Sequence, residues 1–278
     1  MILTKGLYIV STPIGNLEDI TNRAISVLNN SDIILCEDTR RSLKLLNYLK
    51  IKKRLISYHK FNERKKLNNI IEYLNEGKIL SLISDAGTPS ISDPGNILIN
   101  ECIKNNINII PVPGASSVIA TMSISGFEDK FLFYGFLPKK EKELSKILNN
   151  LKDLNFSIIF FIPAIKVNFY ITNFKKFFIN REILLAREIS KIHESFYRGS
   201  LDKFKLFKSS IKGELTVIIS KKNITKEKNE TIEDDILRKQ AVSYLKKYSL
   251  KDVVELISLK EKIPKKIIYK LCLEIKKK

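Results

Sequence analysis

Three short stretches of the chain concentrate side chains able to do chemistry. Ser84-Asp85-Ala86-Gly87-Thr88-Pro89 closes the apolar run Ile79–Ile83 with a carboxylate, two hydroxyls and a glycine that lets the backbone approach a ligand closely. Glu37-Asp38-Thr39-Arg40-Arg41-Ser42 follows a second apolar run, Asp32 to Cys36. Acids suit a helix N-terminus with Thr39 or Ser42 as cap, but two cations there oppose the helix dipole, and an anionic ligand would explain them. Tyr58-His59-Lys60-Phe61-Asn62-Glu63 holds one of only two histidines, a residue that can act as acid, as base or as a plain loop residue.

Something must hold these stretches at one place, and the chain between them supplies it. Short apolar runs at Leu7–Val10, Asp32–Cys36, Leu55–His59, Ile79–Ile83 and Ile107–Val112 each end in polar or Gly/Pro residues and lead into helical patterns. The helices run from about Asn22 to Asn29, from Ser42 to Leu49, to Asn75, from Pro94 to Lys104 and from Val118 to Ser125, with Ser92 or Asp93 as the cap ahead of Pro94. Five alternations of strand and helix predict a parallel, doubly wound α/β domain over 1–125. In such a sheet, ligands bind at the carboxyl ends of the strands, where the polar stretches fall.

The remainder predicts a smaller α/β domain over 126–221. Its strands are Phe131–Tyr134, Ser157–Ile162, Ile183–Ala186, Ser195–Tyr197 and Leu215–Ser220, and its helices Glu141–Leu151, Lys166–Phe177 and Leu201–Lys208. Residues 222–236 read as a polar linker, and 237–278 as a tail of three short amphipathic helices. Residues 221–278 hold seventeen basic and nine acidic residues, a net of +8.

Composition narrows the chemistry. The longest apolar stretch, Phe156–Ile165, is broken by Ser157 and Pro163 and is too short to span a bilayer, and no signal-peptide pattern opens the chain, so a cytoplasmic protein with no membrane contact is expected. Three scattered cysteines with no CxxC and two histidines suggest neither a disulfide framework nor a metal site. No two glycines stand two residues apart and there is no G-K-[ST], which disfavours a dinucleotide or a nucleoside triphosphate. A cofactor without phosphates, such as S-adenosylmethionine, needs neither loop. The net charge of +19 points to a polyanion as partner, although A+T-rich coding also yields a chain rich in Lys, Ile, Asn and Phe with no Trp. With forty lysines and only nine arginines, the pair Arg40-Arg41 suggests a need for the planar, two-pronged donor.

Taken in order, the run Leu7–Thr21 with its Ser11-Thr12-Pro13-Ile14-Gly15-Asn16 core, Cys36-Glu37-Asp38-Thr39-Arg40, Tyr58–Glu63, Ser84–Pro89 and Val112-Pro113-Gly114-Ala115-Ser116 resemble the successive motifs of the RNA-modifying branch of the tetrapyrrole methylase superfamily. The likeness continues through Phe133–Pro138, Leu185–Lys191 and Lys212–Leu215 and so spans nearly the whole chain. It implies a homodimer of two-domain α/β subunits with S-adenosylmethionine in the cleft between the domains. The reaction implied is methylation of the ribose 2′-hydroxyl of one cytidine in the decoding centre of 16S rRNA, within the small ribosomal subunit. By the same resemblance the cofactor lies along Pro13, Ser84, Asp85, Ala86, Gly87, Thr88, Ser117, Val118 and Ile162. Glu37, Arg40, Asn62, Arg187 and Lys191 would face the RNA. The pattern departs at Phe161-Ile162-Pro163-Ala164-Ile165-Lys166, where a Tyr-Glu-Ser-Pro-like run is usual and only the aromatic and the base persist.

A ribose hydroxyl is a poor nucleophile and a sulfonium methyl a strong electrophile, so in-line positioning supplies most of the acceleration and a base assists. His59, Asp38 and Glu63 are the candidate bases, with Arg40 on a neighbouring phosphate. Two alternatives share these features: another methylase of the superfamily with a small-molecule or protein substrate, and a non-catalytic RNA-binding assembly factor.

Overall fold

A computed structural model of the chain describes residues 3–128, 130–222, 237–261 and 265–276. They fall into two compact units, Met1–Lys222 and Asn223–Lys278. The first unit holds two five-stranded sheets.

The first sheet is formed by β1 (Gly6–Val10), β2 (Ile33–Cys36), β3 (Arg54–Ser57), β4 (Ile79–Ile83) and β5 (Ile109–Val112), in the order β3-β2-β4-β1-β5 with every pair parallel. Because side chains alternate along a strand, each strand feeds two cores. Leu7, Ile9, Ile33, Leu35, Leu80 and Leu82 pack on one face against Ile70 and Leu74 of α3 (Glu63–Asn75) and Leu98 and Cys102 of α4 (Asn96–Lys104). Tyr8, Val10, Ile34, Cys36 and Ile83 pack on the other against α1 (Asn22–Asn30) and Leu46 of α2 (Thr39–Tyr48). A parallel sheet covered on both faces accounts for strands that read as near-continuous apolar runs.

The second sheet is mixed. β6 (Phe131–Phe136) lies parallel to β7 (Ser157–Pro163), and β10 (Glu214–Ile219), β8 (Glu182–Arg187) and β9 (Ser195–Ser200) follow antiparallel in the order β6-β7-β10-β8-β9. One face carries Ile158, Phe160 and Ile162 against α6 (Glu141–Leu151) and α7 (Val167–Phe177). The opposite face brings Ile159, Leu184 and Ile218, with Phe133 and Phe161, against Val118 and Met122 of α5 (Ser117–Ser123), the last helix after the first sheet. That helix therefore joins the two layers by apolar packing.

Three local expectations are corrected. No helix forms over Leu201–Lys208. Leu201 is buried, and side chains of α7 claim the backbone that a helix would use: Lys175 Nζ donates to the Phe204 carbonyl at 2.7 Å, and Asn168 bonds both the Phe207 N–H (2.9 Å) and its carbonyl (2.8 Å). α4 begins at Asn96 with Gly95 as its cap, rather than at Pro94, because Ser90 and Ser92 hold left-handed backbone and keep this stretch a loop. The cap of α2 is Asp38 rather than Thr39 or Ser42, its Oδ1 accepting the Arg40 N–H at 2.9 Å.

The second unit contains α8, helical over the described residues 237–245, α9 (Leu250–Glu261) and α10 (Lys265–Lys276), where the amphipathic patterns predict them. They share a small core of Leu237, Ala241, Val253, Val254, Ile257, Ile268, Leu271 and Cys272. The polar linker, from 223 on, lies outside the described residues.

Candidate active site

At the carboxyl end of the first sheet the strand tips hold one another. The backbones of Thr12 and Gly87 exchange hydrogen bonds of 2.9 and 3.0 Å, Ser11 Oγ lies 2.8 Å from Thr88 Oγ1, and Thr12 Oγ1 donates to the Ser84 carbonyl at 3.2 Å. The tips of β1 and β4 are thus clamped side by side. Gly87 needs its identity for its φ of +76°, since an added Cβ would make only ordinary contacts, 3.5 Å from Ile14 Cγ2 and 3.9 Å from the Ala115 carbonyl. The structure therefore brings the Pro13-Ile14 turn, the Ser84–Thr88 loop and Ala115, two residues ahead of α5, to one place. Of the residues expected along the cofactor, Pro13 and Ser84–Thr88 belong to these loops, Ser117 and Val118 open α5 just after Ala115, and Ile162 lies apart in the second sheet.

β2 and β3 run side by side with Cys36 opposite Ser57, and the Tyr58 N–H extends the ladder to the Cys36 carbonyl at 2.7 Å. Their exit loops, Glu37–Arg41 and Tyr58–Asn62, leave the sheet together. Asp38 and Arg40 form a two-pronged pair, Nε to Oδ1 at 3.1 Å and Nη2 to Oδ2 at 2.8 Å. Arg41 Nη1 reaches Asp85 Oδ2 at 3.1 Å, and Asp85 Oδ1 accepts the Asp38 N–H at 3.2 Å. Both arginines that are unfavourable in a first helical turn thus have a carboxylate partner at this tip. The carboxylate of Asp85 straps β4 to the loop after β2.

His59 and Asn62 are bound up in their own turn. The His59 N–H donates to Asn62 Oδ1 (2.9 Å), Asn62 Nδ2 donates to the Ser57 carbonyl (3.2 Å) and Oγ (3.0 Å), and the imidazole has the Phe61 N–H at Nδ1 (3.3 Å) and Asn62 Nδ2 at Nε2 (3.0 Å). A neutral ring can accept at only one nitrogen, so this imidazole is crowded by donors of its own loop. Glu63 opens the first turn of α3.

The electrostatics separate the acids. The guanidinium hydrogen bonds of Arg40 hold the Asp38 carboxyl down to about 2. Glu37 shifts the other way, raised first by burial and then by the charges of Asp93 and Asp85. Asp93 is also raised, by burial first, against a Ser84 hydrogen bond that favours its ionised form. Three carboxylates, Glu37, Asp85 and Asp93, therefore share one strand-tip region, and two of them ionise reluctantly. Asp93 reads in the sequence as a helix cap; the left-handed serines on either side of Ile91, which carry it into this group, leave no sequence signal.

From the second sheet, the loop after β8 closes against the first. The Asn16 N–H donates to Ser190 Oγ at 3.1 Å, and a Cβ on Gly15 would collide with Lys191 Cγ at 2.5 Å. Lys191 is tied into a network, its Nζ 3.0 Å from Glu188 Oε1 and 2.9 Å from Glu214 Oε2, while Arg187 Nε donates to the Lys212 carbonyl at 2.8 Å. Both basic residues brace this loop. Ile162 is buried among the α6–α7 core, and the neighbouring Phe161 lies on the face shared with Val118. Strand alternation, applied to the run Ser157–Pro163, could have singled out Phe161.

The match to known proteins is extensive. The family model described as Tetrapyrrole (Corrin/Porphyrin) Methylases covers residues 6–205. The chain belongs to the tetrapyrrole methylase family. A protein of Mesomycoplasma conjunctivae named ribosomal RNA small subunit methyltransferase I is 46% identical over 233 residues, which are 82% of this chain and 98% of the relative. A protein of the same name from Synechocystis is 35% identical over 97% of this chain and 98% of its own length. Among solved structures, uroporphyrin-III C-methyl transferase from Thermus thermophilus, complexed with S-adenyl homocysteine, aligns with a TM-score of 0.55 at 14% identity, covering 77% of this chain and 97% of that one. It supports the fold, two α/β layers joined in the tetrapyrrole methylase manner. No described helix is long and apolar enough to cross a membrane, and the described residues hold no cluster of His, Cys, Asp and Glu suited to a metal ion.

Proposed function

We propose that the chain transfers a methyl group from S-adenosylmethionine to the ribose 2′-hydroxyl of a cytidine in 16S rRNA. The observation that carries the reading is the pair of relatives named for small-subunit rRNA methylation, matched over 98% of their lengths. The cradle at the clamped tips suits this donor: Gly87 exposes backbone without a Cβ, and no phosphate-binding glycine loop stands beside it. Pro13, the Ser84–Thr88 backbone, Ser117 and Val118 would hold the cofactor, with Phe161 as an apolar wall and Ile162 supporting it from behind.

When bound, S-adenosylmethionine supplies a methyl group on a positively charged sulfur, which a hydroxyl displaces in line. The protein's tasks are then to align that hydroxyl and to receive its proton. Glu37 suits the second task best. Its raised carboxyl is a stronger base than Asp38, which Arg40 holds ionised and weakly basic. His59 and Asn62 shape the turn beside it, Glu63 starts the helix behind it, and Arg40 can exchange Asp38 for an RNA phosphate. The Arg187–Lys191 loop closes the far side of the cleft between domains at 1–125 and 126–221, in a homodimer acting on the small ribosomal subunit in the cytoplasm.

The altered Phe161–Lys166 run does not favour a binding-only protein, since position 162 faces the α6–α7 core and a carboxylate lost there removes nothing from the cleft. The deciding experiment is methyl transfer from labelled S-adenosylmethionine to small subunits lacking the modification, followed by nucleoside analysis. Label in 2′-O-methylcytidine is expected. Absence of label with cofactor binding intact would overturn the reading.

A further inference from the structure

Phe61 stands apart from every other aromatic of the first sheet: it sits on the turn between β3 and α3, and it is 93% exposed. A large apolar ring left in water on a floppy loop would be unremarkable. This one is on a rigid turn. The His59 carbonyl accepts from the N–H groups of Asn62 (2.9 Å) and Glu63 (3.0 Å), the Phe61 N–H points at His59 Nδ1 (3.3 Å), and the Asn62 side chain ties the turn back to Ser57. The His59 ring braces Phe61 at 6.1 Å between centroids and an interplanar angle of 63°, so the contact leaves aromatic surface uncovered.

Exposed cations stand close by, two of them paired with the acids Asp38 and Asp85. Lys60 precedes the ring, Arg64 and Lys65 lie exposed on the first turn of α3, and the adjacent β2 loop presents Arg40 and Arg41 with side chains 87% and 69% exposed. An aromatic face held open among cations is the combination that binds an unpaired nucleotide: the ring stacks on the base while the cations meet the flanking phosphates. We propose that Phe61 is a stacking platform for an unpaired nucleobase next to the target nucleotide, and so a positioning residue for the RNA strand. The inference rests on the RNA-directed reading above and adds to it where the substrate strand is gripped.

The chain contains no tryptophan, so Phe61→Trp introduces a single indole at the site. Its emission, excited beyond the tyrosine band, is followed while an unstructured rRNA fragment is added, and separately while heparin, a polyanion without bases, is added. The expected result is saturable quenching by RNA and none by heparin at concentrations that displace the RNA. In methyl-transfer assays Phe61→Ala is expected to raise KM for RNA by about tenfold with kcat little changed, and Phe61→Tyr to restore it. Equal quenching by both polymers, unchanged emission when a gel shift shows the RNA bound, or a change on raising protein concentration alone, which would mark a contact between two copies, would each overturn the proposal. Quenching without any methyl transfer would leave the platform standing and remove the methylation reading. Methyl transfer with an unquenched indole would do the reverse.

Discussion

The two sheets of the first unit are built from similarly apolar strands, yet their polar groups lie in opposite places. In the first, all five strands are parallel, so their carboxyl ends gather on one edge, and the charged loops of β2 and β4 and the turn after β3 meet there. In the second, β9 and β10 run against β6, β7 and β8, so the carboxyl ends divide between two edges, and the most deeply placed charge, Arg181, is turned inward at 1% exposure. It donates to the carbonyls of Ser220 (2.9 Å), Lys152 (2.6 Å) and Leu154 (2.7 Å) and lies 5.2 Å from the Phe178 ring centroid. One sheet gathers its charged loops at one edge; beside the other, a charge is turned inward to hold the backbone of neighbouring segments together.

Arg181→Met tests that division most severely. It takes the donor from three carbonyls, that of Ser220 fully buried, and removes a buried charge, a loss of about 3 kcal/mol in thermal or denaturant unfolding. The variant that still folds should bind S-adenosylhomocysteine with unchanged affinity; weakened cofactor binding per folded molecule would mean that the second sheet does more than support. Glu37→Gln is the matching test on the first sheet. It should lower kcat by about a hundredfold, with the cofactor affinity kept. Its effect on stability has the opposite sign. Burial and the neighbouring acids raise the Glu37 carboxyl, so the folded state holds its proton more tightly than the unfolded chain, and folding loses stability as pH rises through the interval between the two values. Glutamine escapes that loss. The variant should therefore melt slightly above the wild type at neutral pH, the gap closing as pH falls below the ordinary carboxylate range, while wild-type activity rises with pH through the raised carboxyl. A wild-type rate that is flat across that interval would remove Glu37 as the base.

The same contrast explains what could be seen beforehand. The first sheet was legible because each parallel strand is covered on both faces and reads as one apolar run ending in polar residues, and because the motifs at the tips lie within single loops. The helix misread over Leu201–Lys208 shows the limit: Phe204 and Phe207 have helical spacing, but their backbone is claimed by Lys175 and Asn168 from another element, which no local pattern encodes. Arg181 was invisible for the same reason, since its three acceptors are 27 to 39 residues away in sequence. At the site, Asp38, Arg40 and Glu37 were all visible as charges. Arg40 holds Asp38 ionised from within the same loop, whereas the resistance of Glu37 comes first from its burial and then from Asp93 and Asp85, brought in by a different strand.

A smaller effect is expected at the clamp between β1 and β4. Gly87→Ala must adopt a φ of +76° that an L side chain disfavours, although its methyl would meet nothing closer than 3.5 Å. The cost is about 1 to 2 kcal/mol of stability from backbone strain alone. Calorimetry with S-adenosylhomocysteine should show weaker binding as well, since the displaced loop is the proposed cradle. A stability loss with undiminished cofactor affinity would place the ligand elsewhere on the sheet edge.

The smallest structural effect belongs to the Asp38–Arg40 pair. Arg40 is 87% exposed, and its fork grips Asp38 at the entrance to α2, so Arg40→Lys should leave the melting temperature unchanged within error. Binding to RNA is where the change should register. A lysine offers a point charge where the guanidinium offers two parallel donors, so affinity for rRNA should fall several-fold while the dependence on salt stays nearly the same, because the charge is kept. Asp38→Asn should move affinity upward instead, since the fork no longer has a carboxylate to leave before it meets a phosphate, although part of the helix cap remains in the asparagine oxygen. If both substitutions weakened RNA binding alike, the Asp38–Arg40 pair would have to act as one unit facing the RNA, with the acid accepting a hydrogen bond from the nucleotide rather than holding the arginine in reserve.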